Sequence, residues 1–458
     1  MHTISKSRTI QQKILHQRVK TTDSHQFFNL LTAPDLLDAV EQALPDHRER
    51  LFPPTEALSM FLAQALSQDS SCQKVVNDAA LKRVSGGLPV CSTRTGAYCK
   101  ARQRLPQQMV SALVQQTGRL AAERVSKAWQ WQNRPVRLID GTTITMPDTA
   151  ANQSAFPQQS TQQPGLGFPI GRIVGITCLS SGVVLNAAMG RYSGKGGSEQ
   201  ALLRGLLETF SAGDIALGDS YYCTYFLIAA LRERGVDVVF EQHGSRRQRT
   251  DFRTGERLGE RDHRVTWPKP KLKPDWMPQA QYDAAPDSLT LRELKVGGKI
   301  LVTSMTCAKG TPKPALKALY RSRWHVELDL RSIKTTLGME VLRCRTPEMN
   351  EKEMWVYLLA YNLIRLLMAD AASLSDVLPR QLSFKHTLQL WLGWRQQSGG
   401  CTDENQVRIL LLLIAQTRVG NRTGRVEPRA VKRRPKPFPL LSTPRKTARQ
   451  EIRKIGHP

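Results

Sequence analysis

Two acidic residues stand out because each is predicted at the end of a strand and beside a glycine. Asp140 follows VRLI and precedes Gly141, and Asp219 follows IALG. Glycine lets a ligand approach closely, and carboxylates on neighbouring strands could share hard cations such as Mg²⁺. An Asp beside a Gly is also common in ordinary turns, so turn chemistry alone explains either residue.

The segment YRSRWHVELDLRSIKTTLGM carries a more specific pattern. On one regular α-helix, a single face would hold four residues spaced by three, four and seven positions: Tyr320, Arg323, Glu327 and Lys334. Arginine, lysine and tyrosine side chains bind phosphate, so the one carboxylate among them is typical of a metal ligand beside a phosphate. The alternative is a salt-bridged surface helix, because such pairs are common.

This spacing resembles the Tyr-x2-Arg-x3-Glu-x6-Lys signature of the insertion-sequence-four family of bacterial DDE transposases. Further similar segments are LIDGTT, GDIALGDSYY, LLAYNLIR and VTWPKPKLKPDWM, so the resemblance covers roughly residues 90 to 440. It implies an α/β fold, in which a ribonuclease-H-like catalytic domain is interrupted by a mostly β insertion domain and preceded by a helical N-terminal region.

The resemblance also implies roles for the residues. Asp140, Asp219 and Glu327 would be catalytic and would hold two Mg²⁺ or Mn²⁺ ions, whereas DNA phosphate would be bound by Tyr320, Arg323 and Lys334. Two ions about 4 Å apart clamp a scissile phosphate and need no covalent protein–DNA intermediate. Tyr320 is therefore interpreted as a phosphate ligand and not as a nucleophile.

The activity implied is cut-and-paste transposition. The enzyme would bind terminal inverted repeats, cleave the element ends and join the freed 3′-OH to target DNA. Its partners would be double-stranded DNA at the ends and at the target, and a second copy of the chain as a homodimer on DNA. We expect it in the bacterial cytoplasm, at the nucleoid.

Two other functions stay open at this stage. One is a related metal-dependent nuclease that does not rejoin DNA, and the other is a non-catalytic DNA-binding product of an element. The three acids disfavour a pure binder, because such a protein gains nothing from carboxylates that face phosphate. The basic insertion and the separate N-terminal region favour transposition, since hydrolysis alone needs neither.

Some members of the family stack a flipped base on a tryptophan while the second strand is cut through a DNA hairpin. The candidates in this sequence are Trp267, Trp276 and Trp324, because an aromatic face can replace lost base stacking. The alternative is that the first two form the core of a small β domain, which needs large apolar groups.

Composition agrees with a nucleic-acid partner. The 458 residues include 66 Lys and Arg against 39 Asp and Glu, for a net charge of +27. Such a surface attracts polyanions, either nucleic acid or an anionic membrane. The eight cysteines form no CxxC pair and no zinc-finger spacing, which favours a reducing cytoplasm. The first twenty residues contain no apolar run, so we expect no secretory signal there, and the apolar run 409–415 is far below the roughly 20 residues of a membrane span.

The elements that must position these residues divide the chain into five parts. Hydrophobic spacing of three and four predicts helices over residues 1–130, a DNA-binding region that includes FFNLLTAPDLLDAVEQAL. Segments with alternating apolar and polar residues, which predict strands, then occur together with predicted helices over 131–242 and 300–417, the catalytic domain. A basic, Gly- and Pro-rich stretch, 243–299, is the predicted insertion, and 418–458 is a basic tail.

Other candidate features are weaker. GKGGSEQ looks like a phosphate-binding loop, but a turn followed by a helix N-cap explains it, because it lacks the full spacing of such loops. Asp148 and Asp214 are rival carboxylates that fit turns better. A basic helix near residues 94–104 could lie along DNA or could be an ordinary solvated face.

Overall fold

The computed structural model describes residues 44, 51–194, 196–244, 250–375, 377–397, 404–419 and 441–455. The predicted helix FFNLLTAPDLLDAVEQAL lies outside the described residues except for its last position, as does the tail between residues 420 and 440. The helices are α1 (Pro54–Leu66), α2 (Cys72–Ser85), α3 (Gly96–Arg104), α4 (Gln107–Glu123), α5 (Ala150–Ala155), α6 (Glu199–Arg204), α7 (Tyr225–Glu233), α8 (Gln279–Ala284), α9 (Lys313–Ser322), α10 (His325–Arg331), α11 (Pro347–Ser373), α12 (Phe384–Gln397), α13 (Glu404–Gln416) and α14 (Arg445–Ile455). The strands are β1 (Val136–Thr145), β2 (Ile170–Cys178), β3 (Val184–Arg191), β4 (Ile215–Gly218), β5 (Asp237–Glu241), β6 (Glu256–Gly259), β7 (Asp262–Pro268), β8 (Ser288–Val296) and β9 (Lys299–Thr303).

These strands form one mixed sheet in the order β3-β2-β1-β4-β5-β9-β8-β7-β6. The first three strands are antiparallel neighbours, whereas β4 runs parallel to β1 and β5 runs parallel to β4. Helices α6 and α7 lie in the connections between these strands, as expected of parallel strands, which need long crossovers. The mixed α/β class predicted from the sequence is confirmed.

The predicted insertion contributes strands to the same sheet. β6, β7 and β8 pair in succession as antiparallel neighbours, and β8 pairs with β9, which in turn pairs with β5. The connection between β8 and β9 is a tight turn at Gly297 and Gly298, where Gly297 has φ +60. Pairing in this way covers the edge of β5, which would otherwise present unpaired backbone groups.

Asp140 does not lie at the end of its strand, which corrects the sequence-based prediction. β1 continues to Thr145 because β2 pairs with it along nearly its whole length. The parallel neighbour β4 is much shorter and ends at Gly218. Leu138 pairs with Leu217, so Asp140 and Asp219 each follow that pair by two residues. The carboxylate of Asp140 therefore projects where the neighbouring strand has ended.

The core is organised around α11, a 27-residue helix that is buried over most of its length. The Asn362 amide of this helix donates to the carbonyls of Val184 on β3 and Val114 on α4, at 2.8 and 3.1 Å. It thereby ties the sheet to the helical layer. This helix is long and apolar enough to cross a membrane by length and composition, but 94% of the relevant stretch is buried inside the protein.

The basic helix α3 is only partly available to a ligand. The side chains of Lys100 and Arg104 are exposed, as is that of Arg94, which precedes the helix, but Arg102 is buried. Its guanidinium donates to Gln64 at 3.2 Å and lies over the rings of Phe61 and Tyr98. A buried arginine needs such partners to offset its lost hydration, so Arg102 stabilises the helical layer and is not part of a DNA-facing surface.

Candidate active site

The Asp140 carboxylate is largely buried beside the end of β4. Its Oδ1 accepts a hydrogen bond from the backbone N–H of Gly141 at 2.9 Å. Burial raises the pKa of Asp140 to about 6, although the Gly141 N–H and the nearby Arg323 act in the opposite direction. The negative charges of Asp219 and Glu199 add to the rise. The carboxylate is thus mostly ionised at pH 7, but at an electrostatic cost that a cation would relieve.

Asp219 is held in a defined orientation by the turn that follows β4. It is the N-cap of a short 3₁₀ turn, Ser220–Tyr222, and its Oδ1 accepts from the N–H of Tyr221 at 2.8 Å. The preceding Gly218 leaves little room for a side chain, because a Cβ there would lie 3.0 Å from the Tyr222 ring and 3.1 Å from the Phe240 ring. The chain therefore approaches its neighbours closely at this point, as the sequence predicted.

Arg323 lies between the carboxylates of Asp140 and Glu327. Its Nη2 donates to Glu327 Oε1 at 3.2 Å, and its Nη1 lies 3.8 Å from Asp140 Oδ2. As the side chains are placed, the described residues contain no group of three or more His, Cys, Asp or Glu that could hold a metal ion. The guanidinium supplies the positive charge between Asp140 and Glu327.

The segment that carries Glu327 is not one regular α-helix, and that prediction was wrong. Helix α9 ends at Ser322, and backbone hydrogen bonds of 3₁₀ type, such as the one from Val326 to Arg323, connect it to α10. A π-helical turn, Ser332–Thr336, then replaces the regular continuation. A π-helical turn within an α-helix changes the direction in which the following side chains point, and such turns are frequent at functional sites. Lys334 lies in the π turn, and its ammonium has no ion pair or hydrogen bond within the described part of the chain.

Tyr320 is buried and already hydrogen-bonded. Its hydroxyl donates to Glu241 Oε2 at 2.8 Å, and Lys299 donates to the same oxygen at 2.6 Å. Burial raises the pKa of Tyr320, and the hydrogen bond to Glu241 adds to this effect. The hydroxyl therefore stays protonated and could reach a phosphate only by exchanging this partner. Sequence reasoning did not single out Glu241, because its pairing depends on the contact between α9 and β5.

A buried ionic cluster fixes α10 on the opposite side from Glu327. Asp329 is fully buried and accepts hydrogen bonds from Arg365 at 2.7 Å, from Arg380 at 2.9 Å and from the Tyr361 hydroxyl at 3.0 Å. Tyr361 and Arg365 belong to α11, the core helix. The segment LLAYNLIR, which carries part of the family resemblance, thus anchors the helix of Glu327 to the core.

Glu199 is a further acid at this site that sequence reasoning missed. The interpretation of GKGGSEQ as a turn with an N-cap agrees with the structure, since Ser198 accepts from the N–H of Ala201 at 3.1 Å. The next residue, however, places its carboxylate against Gly141, where a Cβ would lie 2.4 Å from Glu199 Cδ. The glycine beside Asp140 was the available signal that another group approaches there.

The rival carboxylates have other surroundings. Asp148 is exposed and accepts from the Gln153 amide at 2.9 Å. Asp214 is buried, and its Oδ2 accepts from the Ser211 N–H at 3.0 Å in the turn before β4. It also pairs with Arg137 at 3.1 Å. Both arrangements fit the turn interpretation.

The three tryptophans differ in exposure. Trp267 is buried, and its indole N–H donates to Glu293 at 2.7 Å. Trp324 is exposed, next to Arg323. Trp276 is 44% exposed, with the Arg204 guanidinium 3.7 Å from its ring centroid. Trp276 and Arg204 line a cleft of about 1030 Å³, and Gln200 of α6 is also part of its lining.

Comparison with known proteins gives three similarities. The family model described as "Transposase DDE domain" matches residues 131–363, about half of the chain. Over 405 residues the chain is 29% identical to the transposase InsG for insertion sequence element IS4 of Escherichia coli (strain K12), which covers 86% of this chain and 88% of that protein. A solved structure, the piggyBac transposase synaptic complex with hairpin DNA, aligns over 88% of this chain and 86% of that chain with 11% identity and a TM-score of 0.43.

Proposed function

The chain belongs to the transposase DDE-domain family, and from that premise we propose that it binds the terminal inverted repeats of an insertion sequence, cleaves the element ends and transfers the freed strands to target DNA. One observation carries the proposal. Asp140 and Glu327 converge on Arg323, and Asp219 follows the strand next to Asp140, all within the segment that the family matches.

We propose that Asp140, Asp219 and Glu327 hold two divalent ions, Mg²⁺ or Mn²⁺. The donor set fits, because all three are oxygen ligands and two of them already face a positive charge, the Arg323 guanidinium. When bound, the ions would activate a water and stabilise the leaving 3′ oxygen. The chain's own contribution is to keep Asp140 in a largely buried position, where its charge is poorly compensated by solvent.

Arg323, Lys334 and Tyr320 are proposed to bind the DNA phosphate. A guanidinium can grip a phosphate with two parallel hydrogen bonds, so Arg323 could exchange its carboxylate partners for the DNA backbone. That exchange would free Asp140 and Glu327 for a metal ion. Lys334 is available as a point charge, whereas the Tyr320 hydroxyl must first leave Glu241.

This exchange predicts opposite effects of Arg323→Gln on two ligands. Without DNA, the affinity for Mn²⁺ should rise about tenfold, because two ion pairs worth up to about 1 kcal/mol each no longer compete with the metal. The affinity for element-end DNA should fall. Isothermal titration with Mn²⁺ and a gel-shift assay measure the two effects. The control is Arg321→Gln, an exposed arginine two positions earlier, and an unchanged Mn²⁺ affinity in Arg323→Gln would contradict the prediction.

We propose that a flipped base, if the reaction uses one, stacks on Trp276 or Trp324 in preference to Trp267. The first two rings are exposed, whereas Trp267 is buried and hydrogen-bonded to Glu293. Stacking of one base on an aromatic ring contributes about 1–3 kcal/mol, so the responsible Trp→Ala variant should slow end processing by roughly tenfold or more. Its thermal stability should stay near that of the native chain. Normal processing by both variants would exclude base stacking at these positions.

The domain organisation is proposed as the sequence predicted it, with a ribonuclease-H-like catalytic domain over residues 131–242 and 300–417. The strand order β3-β2-β1-β4-β5 supports this assignment, since three antiparallel strands are followed by two parallel ones. Residues 243–299 would be the insertion domain, 1–130 a DNA-binding region and 418–458 a basic tail. A homodimer on DNA in the bacterial cytoplasm is part of the same proposal.

The decisive assay separates transposition from hydrolysis. The full chain is incubated with Mg²⁺ and DNA that bears the element's inverted repeats, together with a target plasmid. We expect cleavage at the ends followed by joining to the target, in complexes that contain two protomers. Cleavage without joining would favour the alternative of a metal-dependent nuclease. DNA binding without cleavage would favour a non-catalytic element product.

A further inference from the structure

Glu199 lies where three parts of the site meet. It is the first residue of α6, and the Ser198 cap fixes the start of that helix. Its carboxylate contacts β1 at Gly141, and all three of its terminal atoms lie within 2.4–2.7 Å of the position that a Cβ would take there. Because Gly141 carries no side chain, the Glu199 carboxylate can pack against the backbone of the residue that follows Asp140.

The partners of Glu199 connect it to the turn of Asp219. The hydroxyl of Tyr222 donates to Glu199 Oε2 at 3.0 Å. Tyr222 is fully buried and belongs to the same 3₁₀ turn that Asp219 caps. Glu199 therefore bridges the strand of Asp140 and the turn of Asp219, the two elements whose relative position decides whether their carboxylates can act together.

Among the described residues, the charge of Glu199 is only weakly compensated. The cationic group that pairs with it is Arg172 on β2, whose Nε lies 3.9 Å from Oε1, beyond hydrogen-bond distance. The direct hydrogen bond comes from a neutral tyrosine. The Glu199 charge acts on Asp140, the residue next to Gly141, and a cation bound nearby would be attracted by both carboxylates.

We propose that Glu199 is a positioning residue of the active site, which holds the Asp140 strand against the Asp219 turn through Tyr222 and adds a negative charge that strengthens binding of a divalent cation. This inference rests on the proposed function, because it concerns the same metal site. Residues of this kind, which orient ligands without being ligands, commonly change metal affinity by 10–100-fold when they are replaced.

Two substitutions separate the charge from the hydrogen bond. Glu199→Gln keeps the shape and an acceptor for the Tyr222 hydroxyl but removes the charge, whereas Tyr222→Phe removes the hydrogen bond and keeps the charge. The matched control is Glu208→Gln, because Glu208 is an acid of the same segment whose side chain is 90% exposed and pairs with Arg234. Each variant is the full chain, and its melting temperature confirms that it folds.

Isothermal titration with Mn²⁺, without DNA, gives the readout. We expect Glu199→Gln to bind Mn²⁺ about tenfold more weakly, Tyr222→Phe to show a smaller loss and Glu208→Gln to match the native chain. Native Mn²⁺ affinity in Glu199→Gln would overturn the proposed effect of the charge. Native Mn²⁺ affinity in Tyr222→Phe would overturn the proposed positioning through the hydrogen bond. Asp140→Asn distinguishes this failure from that of the proposed function. If Asp140→Asn also binds Mn²⁺ normally, the metal site itself is wrong, and if only that variant is impaired, Glu199 has no part in it.

Discussion

We expect Asp219→Asn to lower the rate of DNA end cleavage by at least about a thousandfold, which corresponds to roughly 4 kcal/mol of transition-state stabilisation. The expected loss is large because an amide removes a negative charge that the proposed metal ions would need, whereas it should leave the fold unchanged. The native Oδ1 accepts a hydrogen bond from the Tyr221 N–H, and the carbonyl oxygen of Asn can accept the same bond. Asn is also among the best N-cap residues, so the turn should persist.

The assay compares cleavage with DNA binding in the same preparation. Gel-shift affinity for element-end DNA should stay within a few-fold of the native value, because the substitution removes no phosphate-binding group. Asp148→Asn is the matched control, since Asp148 is an exposed aspartate of a nearby loop. It should cleave normally. A native cleavage rate in Asp219→Asn would show that the site has been placed wrongly.

Asp329→Ala should destabilise the protein by about 3–5 kcal/mol, the usual cost of leaving the partners of a buried ion pair uncompensated. Arg365 and Arg380 would lose the carboxylate to which they donate, and the Tyr361 hydroxyl would lose one acceptor. Because Asp329 lies two positions after Glu327, the surviving folded molecules should also place Glu327 poorly. We therefore expect a lower denaturation midpoint in urea together with impaired cleavage.

A second aspartate of the same region provides the control. Asp370 lies on α11 and pairs with Arg124 at 3.4 Å near the surface, so Asp370→Ala should cost less than about 1 kcal/mol. Equal losses of stability in the two variants would contradict the role assigned to the buried cluster. Loss of cleavage in Asp329→Ala without any loss of stability would instead indicate a direct catalytic effect.

Local sequence patterns were sufficient for much of this protein. Alternation predicted the strands around Asp140 and Asp219, because the side-chain period of a strand is a local property. The Tyr-Arg-Glu-Lys spacing identified the family, which is confirmed. The roles of Asp140, Asp219 and Glu327 remain predictions, which the Asp219→Asn assay tests directly.

Other features could not be obtained from local patterns. The predicted regular helix through Tyr320 and Lys334 is interrupted, because Tyr320 is held by Glu241 on one side and Asp329 by Arg365 and Arg380 on the other. The basic pattern of α3 did not reveal that Arg102 points inward. In each case a contact between residues far apart in the chain overrides the local preference.

The sequence by itself determined which chemical groups are available: the acids, the phosphate-binding side chains and the glycines that give them room. Only the tertiary structure decided how they are arranged. It ends β4 one residue before the level of Asp140, places Arg323 between Asp140 and Glu327, and brings Glu199 against Gly141. The physical reason is that strand pairing and the burial of charge depend on partners many residues away, whereas spacing along the chain reports only neighbours within a turn or two.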